Sequence, residues 1–87
     1  MPFTVRWSDE PLADLASVWM ASDDRSAITS AQHTIDLCLA SDPHKYGRYL
    51  SEGLWQFHVP PLLVHFDIDD TAGRVSVTQL DLVPTPP

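Results

Sequence analysis

An α+β domain is predicted, with a helical hairpin packed on one face of a mostly antiparallel four-stranded sheet, in the order strand, helix, helix, strand, strand, strand. Three observations predict it. Two alternating runs meet at Pro60-Pro61 and place Trp55, Phe57, Val59, Leu62, Val64, Phe66 and Ile68 on one side, leaving Leu54, Gln56, His58, Leu63, His65 and Asp67 on the other. A period of two is the signature of strands with one buried face. Upstream, two stretches repeat apolar residues at helical rather than strand spacing. Finally, 87 residues with 44% apolar and 20% charged side chains make one ordinary globular domain, 1–87, with no room for a second.

The first strand comes from Phe3, Val5 and Trp7 alternating with Thr4 and Arg6, and it ends at Ser8. Ser8 suits a helix N-cap, Asp9 and Glu10 suit the positive end of the helix dipole, and Pro11 is tolerated in a first turn. The helix runs to about Met20, with Leu12, Leu15, Ala16 and Trp19 as its core-facing stripe. Asp23 or Asp24 caps a second helix whose inward positions are Ile28, Ala31, Ile35, Cys38 and Leu39, and Asp42-Pro43 closes it because the residue before proline disfavours helix. The short link Ser22-Asp23-Asp24 folds the two into an antiparallel hairpin. His44 to Gly53 reads as a loop, lacking periodicity and carrying Gly47 and Gly53. After the paired strands, Asp69 to Gly73 forms a turn into a last strand, Arg74 to Val83. There the alternation of Val75 and Val77 slips phase to Leu80 and Leu82, which signals a bulge or burial on both faces. The tail Pro84-Thr85-Pro86-Pro87 cannot continue a ladder.

Charge excludes several function classes. Five Lys and Arg against twelve Asp and Glu give a net charge of −7. The bases Arg6, Arg25, Lys45, Arg48 and Arg74 are scattered, so direct nucleic-acid binding, which needs clustered cations to neutralise phosphates, is disfavoured. No run reaches the roughly 20 apolar residues of a membrane helix. Met1 to Val5 lacks the layout of a secretory signal, and a cytoplasmic protein is expected. The single Cys38 precludes an intrachain disulfide or a thiolate metal cluster. His33 falls on the polar side of its helix, and no metal or cofactor is expected.

The outer side of the paired strands is where chemistry or binding would sit. His58 and His65 are diagonal neighbours there, a spacing that permits proton exchange near neutral pH, with Asp67 next along the face. Arg74 completes the candidate catalytic set as its cation. Leu54 and Leu63 are apolar residues without evident intramolecular cover. With Gln56, Arg48 and Tyr49 they form a candidate partner-binding surface, for a strand or helix of another protein or a second copy of the chain.

The opening V-R-W-S before a leucine-bearing helix, the second helix ending at D-P, E-G-L-W, the strand P-P-L-L-V-H-F-D-I-D and R-V-S-V-T-Q-L together resemble the RelE/ParE superfamily of toxins from type II toxin-antitoxin systems, the plasmid-stabilisation-like proteins. The resemblance covers almost the whole chain and rests on hydrophobic spacing with a few punctuating residues. It implies a small cytoplasmic toxin neutralised by a cognate antitoxin. RelE-like members cut messenger RNA in the ribosome with lysines and arginines on the outer face of the central strands, and ParE-like members are associated with poisoning DNA gyrase. The positions matching the RelE bases are Gln56, His58 and Leu63, none of them cationic. Cleavage by 2'-hydroxyl attack needs a base, an acid and positive charge for the transition state. The resemblance therefore points to a toxin-family component that binds an antitoxin and has lost RelE-type ribonuclease residues. Its rivals are a non-toxic interaction module on the same fold and a weak ribonuclease using His58 and His65.

Overall fold

The computed structural model describes residues 2–83. Its elements are β1 (Thr4–Trp7), α1 (Asp9–Ala21), α2 (Arg25–Ser41), α3 (Pro43–Tyr46), β2 (Arg48–Ser51), β3 (Leu54–Val59), β4 (Leu62–Asp69) and β5 (Arg74–Leu82). One five-stranded sheet has the order β1-β5-β4-β3-β2. β2 to β5 form an antiparallel meander, and β1 pairs with β5 in parallel. The proline tail 84–87 lies outside the described residues.

The paired strands are the alternating ones read from the sequence. Leu62, Val64 and Phe66 of β4 are completely buried beneath the helices, while Trp55, Phe57, Val59 and Ile68 pack around them. Burying one such side chain stabilises the fold by about 1.5–3 kcal/mol. The phase slip in β5 is a bulge. His65 pairs with Gln79 but Phe66 pairs with Val77, so Thr78 is the extra residue. It allows Val75, Val77 and Leu80 all to reach the core.

α2 supplies the other half of that core through Ile28, Ala31, Ile35 and Leu39. Asp24 is its cap, accepting the Ala27 N–H at 3.0 Å. Cys38, on the same side, is only half-buried. α2 also anchors β1, since Trp7 Nε1 donates to Asp36 Oδ1 at 2.8 Å and the Phe3 N–H donates to the Ala40 carbonyl at 2.7 Å. In α1, Pro11 and Leu15 are buried, whereas Leu12, Ala16 and Trp19 of the expected core stripe are exposed. Ser8 occupies the N-cap position, but its side chain makes no capping hydrogen bond.

The sheet has five strands, not four, because the segment read as a loop contains α3 and β2. Asp42 both ends α2 and starts α3, its carboxylate accepting the Lys45 N–H at 3.2 Å. β2 is an edge strand whose four residues are all exposed, so it carries no alternation to detect. Ser51 pairs with Leu54 across a two-residue turn, Glu52-Gly53, with φ of 52° and 80°. Two positive φ values match the twist of a hairpin, but Asn or Asp rather than Glu normally announces that turn.

Gly47 is required by closeness of approach. A Cβ there would lie 2.5 Å from Phe66 Cζ and 2.7 Å from the Pro43 carbonyl oxygen. Gly47→Ala is expected to destabilise the protein by about 1–3 kcal/mol through overpacking against a fully buried ring. Urea denaturation of the variant beside wild type checks this, and equal stability would show that Phe66 shifts freely.

Candidate functional site

The helices cover only one face of the sheet, and strand register dictates which side chains stand on the other. Across β2, β3, β4 and β5 one row of partners reads Arg48, Gln56, His65, Gln79, and the next reads His58, Leu63, Asp81 from β3 to β5. Continuing along β4 and β5, Asp67 pairs with Ser76 and Asp69 with Arg74, and on β1 Arg6 and Thr4 stand beside Ser76 and Arg74. Arg6, Arg48 and Arg74 thus share this face with Asp67, Asp69 and Asp81. Three cations and three carboxylates leave it balanced, although the chain carries −7.

His58 and His65 are diagonal neighbours as the alternation requires, but their environments differ. His58 is exposed, and its Nε2 lies 2.8 Å from the Val83 carbonyl oxygen. A carbonyl only accepts, so Nε2 donates and the imidazole ties down the end of β5, where the Val83 N–H also donates to the Pro61 carbonyl at 2.7 Å. His65 is mostly buried, with 15% of its side chain exposed, and its Nδ1 is buried without a hydrogen-bond partner. The nearest carboxylate oxygen, Asp81 Oδ2, stands 3.9 Å away and accepts from Gln79 Nε2 at 3.1 Å. A histidine beside a carboxylate is an arrangement able to move a proton, but at 3.9 Å the two are not hydrogen-bonded.

Arg74 stands apart from both histidines. It pairs with Asp69, four residues along β4 from His65, so their backbones are about 14 Å apart. Arg48 and Arg74 lie on opposite flanks of the face, three strand steps apart and about 20 Å by strand spacing and rise. Of the candidate binding residues, Leu54 is exposed, Gln56 and Leu63 are half-buried, and Arg48 is exposed. Tyr49 does not share their face. It pairs with Trp55, meets that ring edge-on with centroids 5.3 Å apart, and its hydroxyl accepts the Gly53 N–H.

Gln79 and Asp81 belong to the site but are not among the candidates named from the sequence, although the phase slip to Leu80 and Leu82 already implies their side. Alternation counted from Val75 puts them on the buried side, and only the Thr78 bulge returns them to the outer face. His44, at the start of the segment that reads as a loop, lies in α3. Its Nε2 contacts Asp70 Oδ1 at 2.7 Å and its ring meets Trp55 edge-on, pinning α3 to the turn between β4 and β5. Among the described residues, no group of three or more His, Cys, Asp or Glu could hold a metal ion. No helix there is long and apolar enough to cross a membrane.

Known structures share this architecture. A chain of the toxin-antitoxin complex RelBE2 from Mycobacterium tuberculosis matches with a TM-score of 0.77 at 22% identity, over 94% of this chain and 99% of that one. The chain has the RelE/ParE toxin fold. A chain of the chromosomal ParDE system from P. aeruginosa matches over 93% of this chain and 96% of its own length, with a TM-score of 0.66 at 15% identity. A chain of the archaeal RelE-RelB complex from Pyrococcus horikoshii OT3 gives a TM-score of 0.66 at 10% identity, over 99% of this chain and 100% of that one. No protein-family model and no curated protein sequence matches the chain. At 10–22% identity the likeness is one of fold.

The His58 tether yields a local prediction. His58→Ala should speed amide hydrogen exchange at Val83 several-fold while leaving the β4 amides unchanged, since the net contribution of such a bond is about 0.5–1.5 kcal/mol. Equal Val83 exchange in both proteins would mean that the imidazole does not hold the strand end.

Proposed function

We propose that this chain is a RelE/ParE-like toxin-family component of a type II toxin-antitoxin system, and that it acts by binding a cognate antitoxin rather than by RelE-type RNA cleavage. The observation that carries the reading is the fold, which matches chains of three toxin-antitoxin complexes over at least 93% of this chain. Leu54, Gln56, Leu63 and Arg48 form the antitoxin-binding surface on the open sheet face, and Tyr49, on the opposite side of β2 against Trp55, drops out of it. Leu54 keeps 37% of its surface exposed, and among the described residues the buried core with its helices lies on the other side of the sheet.

The ribonuclease alternative loses support from the geometry. RelE-type cleavage would draw on cations at Gln56, His58 and Leu63, which are a neutral amide, an imidazole and an aliphatic side chain. His58 already commits one nitrogen to Val83. Arg74, the cation of the proposed catalytic set, is about 14 Å from His65 along the sheet. Loss of the chemistry with retention of the binding face is the simpler account of these residues.

Two measurements test this. Induced expression of the chain, alone and with the product of the adjacent open reading frame, asks whether it arrests growth and whether the neighbour rescues it. Co-purification of the pair is expected either way. In calorimetry, Leu54→Glu should weaken that complex at least tenfold, about 1.4 kcal/mol, without changing the thermal midpoint of the chain alone. Unaltered affinity would remove the outer face from the interface, and absence of any complex would overturn the antitoxin reading. In the presence of translating ribosomes, purified chain is expected to leave messenger RNA intact, and cleavage that disappears in a His58→Ala, His65→Ala double variant would establish the histidine chemistry instead.

A further inference from the structure

A groove of about 370 Å³ runs between α1 and α2, in the helical layer rather than on the open sheet face, lined by Leu12, Ala16, Trp19, Met20, Ile28 and Gln32. Three of the large apolar side chains in it are exposed, Leu12 by 46%, Trp19 by 41% and Met20 by 70%. Leu12, Ala16, Trp19 and Met20 recur at helical spacing along one side of α1. A stripe of that kind normally faces a core, and here Leu15 is the α1 member of the set that reaches it. A contiguous apolar strip on the surface of so small a domain marks an interface.

Charge identifies what fits it. The helical hairpin, residues 9–41, carries Asp9, Glu10, Asp14, Asp23, Asp24 and Asp36 against the single cation Arg25, so five of the chain's seven net negative charges belong to this layer. Asp9 lies one turn before Leu12 on α1, and Asp23 and Asp24 sit in the link just beyond Met20, placing carboxylates at both ends of the stripe. One cation already stands beside the groove, on its Trp19. The Arg25 guanidinium lies 4.7 Å from the centroid of the Trp19 ring, with Nε and Nη2 donating to the Trp19 and Met20 carbonyls. An indole face favours cations, and the acidic excess of the hairpin acts in the same direction.

We propose that this groove docks a basic amphipathic helix of a partner protein. Its aliphatic side chains pack on Leu12, Ala16 and Met20, and its lysines or arginines face the carboxylates at the two ends. A groove following two antiparallel helices accepts a third helix by ridge and groove packing, and α1 is about 20 Å long, which sets the partner segment at three to four turns. A second copy of this chain would oppose one strongly acidic hairpin to another, and nucleic acid or an anionic membrane would meet the same repulsion. The proposal is independent of the outer sheet face, so either can fail without the other.

The test is an NMR titration of the full ¹⁵N-labelled chain with a Leu/Lys peptide of about four helical turns, its leucines at i, i+3, i+4 and i+7. A scrambled peptide of the same composition and a Leu/Glu counterpart serve as comparisons. The Leu/Lys peptide should shift the Trp19 indole N–H, which donates to Thr29 Oγ1 at 3.2 Å, together with the amides of the groove. It should bind at least about tenfold tighter than either comparison peptide. The double variant Leu12→Gln, Met20→Gln alters exposed positions and should lose that advantage while its spectrum remains folded. Equal binding of the scrambled peptide would reduce the effect to bulk charge attraction and overturn the proposal. So would shifts confined to the sheet face, or a concentration-dependent dimer that buries the groove before any peptide is added.

Discussion

Much of this fold hangs on the alternation of β4. The strand lies between β3 and β5, and its inward side chains Leu62, Val64 and Phe66 are completely buried. A slip of one residue would exchange them for Leu63, His65 and Asp67, putting an imidazole and a carboxylate into the core, so the register is strongly determined. Phe66 carries the constraint outward. It stacks on Trp55 of β3 and closes on Gly47, the residue that joins α3 to β2, so one ring fixes both the central pairing and the entry to the edge strand. The outer face is what remains once that packing is satisfied.

The layers divide the charge unequally, and this changes what the acidity of the chain means. A net charge of −7 reads as repulsion of every anionic partner. On the outer sheet face, however, Arg6, Arg48 and Arg74 balance Asp67, Asp69 and Asp81, and most of the negative excess sits on the helical hairpin. With a screening length of roughly 8–10 Å in physiological salt, a partner on the sheet face senses a near-neutral mixture while one on the helices senses an acidic field. Total charge therefore says little about this face, whose positions Gln56, His58 and Leu63 carry neither lysine nor arginine.

The sequence was most legible where burial imposes a period. The β3 and β4 alternation and the 28, 31, 35, 39 stripe of α2 face a common core, so pattern and structure agree. It was least legible where no core is faced. β2 is exposed on both sides and its turn uses Glu52 at positive φ, so neither periodicity nor turn composition announces it. In α1 the failure runs the other way, for a helical apolar stripe looks identical whether it packs on its own sheet or waits for another molecule. The candidate site divides in the same manner. His58 and His65 come together because they lie on one hairpin, whereas Arg74 is separated from them by the length of β4, and Asp81 joins them through the one-residue bulge that the phase slip in β5 announces.

Two uncovered surfaces of unlike chemistry constrain any partner of this domain. The sheet face offers scattered apolar side chains in a charge-balanced polar field, suited to a segment that reads shape and hydrogen bonds. The hairpin groove offers contiguous apolar area within an acidic field, suited to a segment that is both apolar and basic. A single polypeptide engaging both would have to change character along its length, near-neutral where it crosses β3 and β4 and cationic where it reaches α1 and α2. Because the acidic excess is concentrated on the helices, a uniformly acidic partner is repelled from the groove even when the sheet face tolerates it. The distribution of carboxylates between the two layers would thus bear on partner choice while leaving the core, and with it the fold, unchanged.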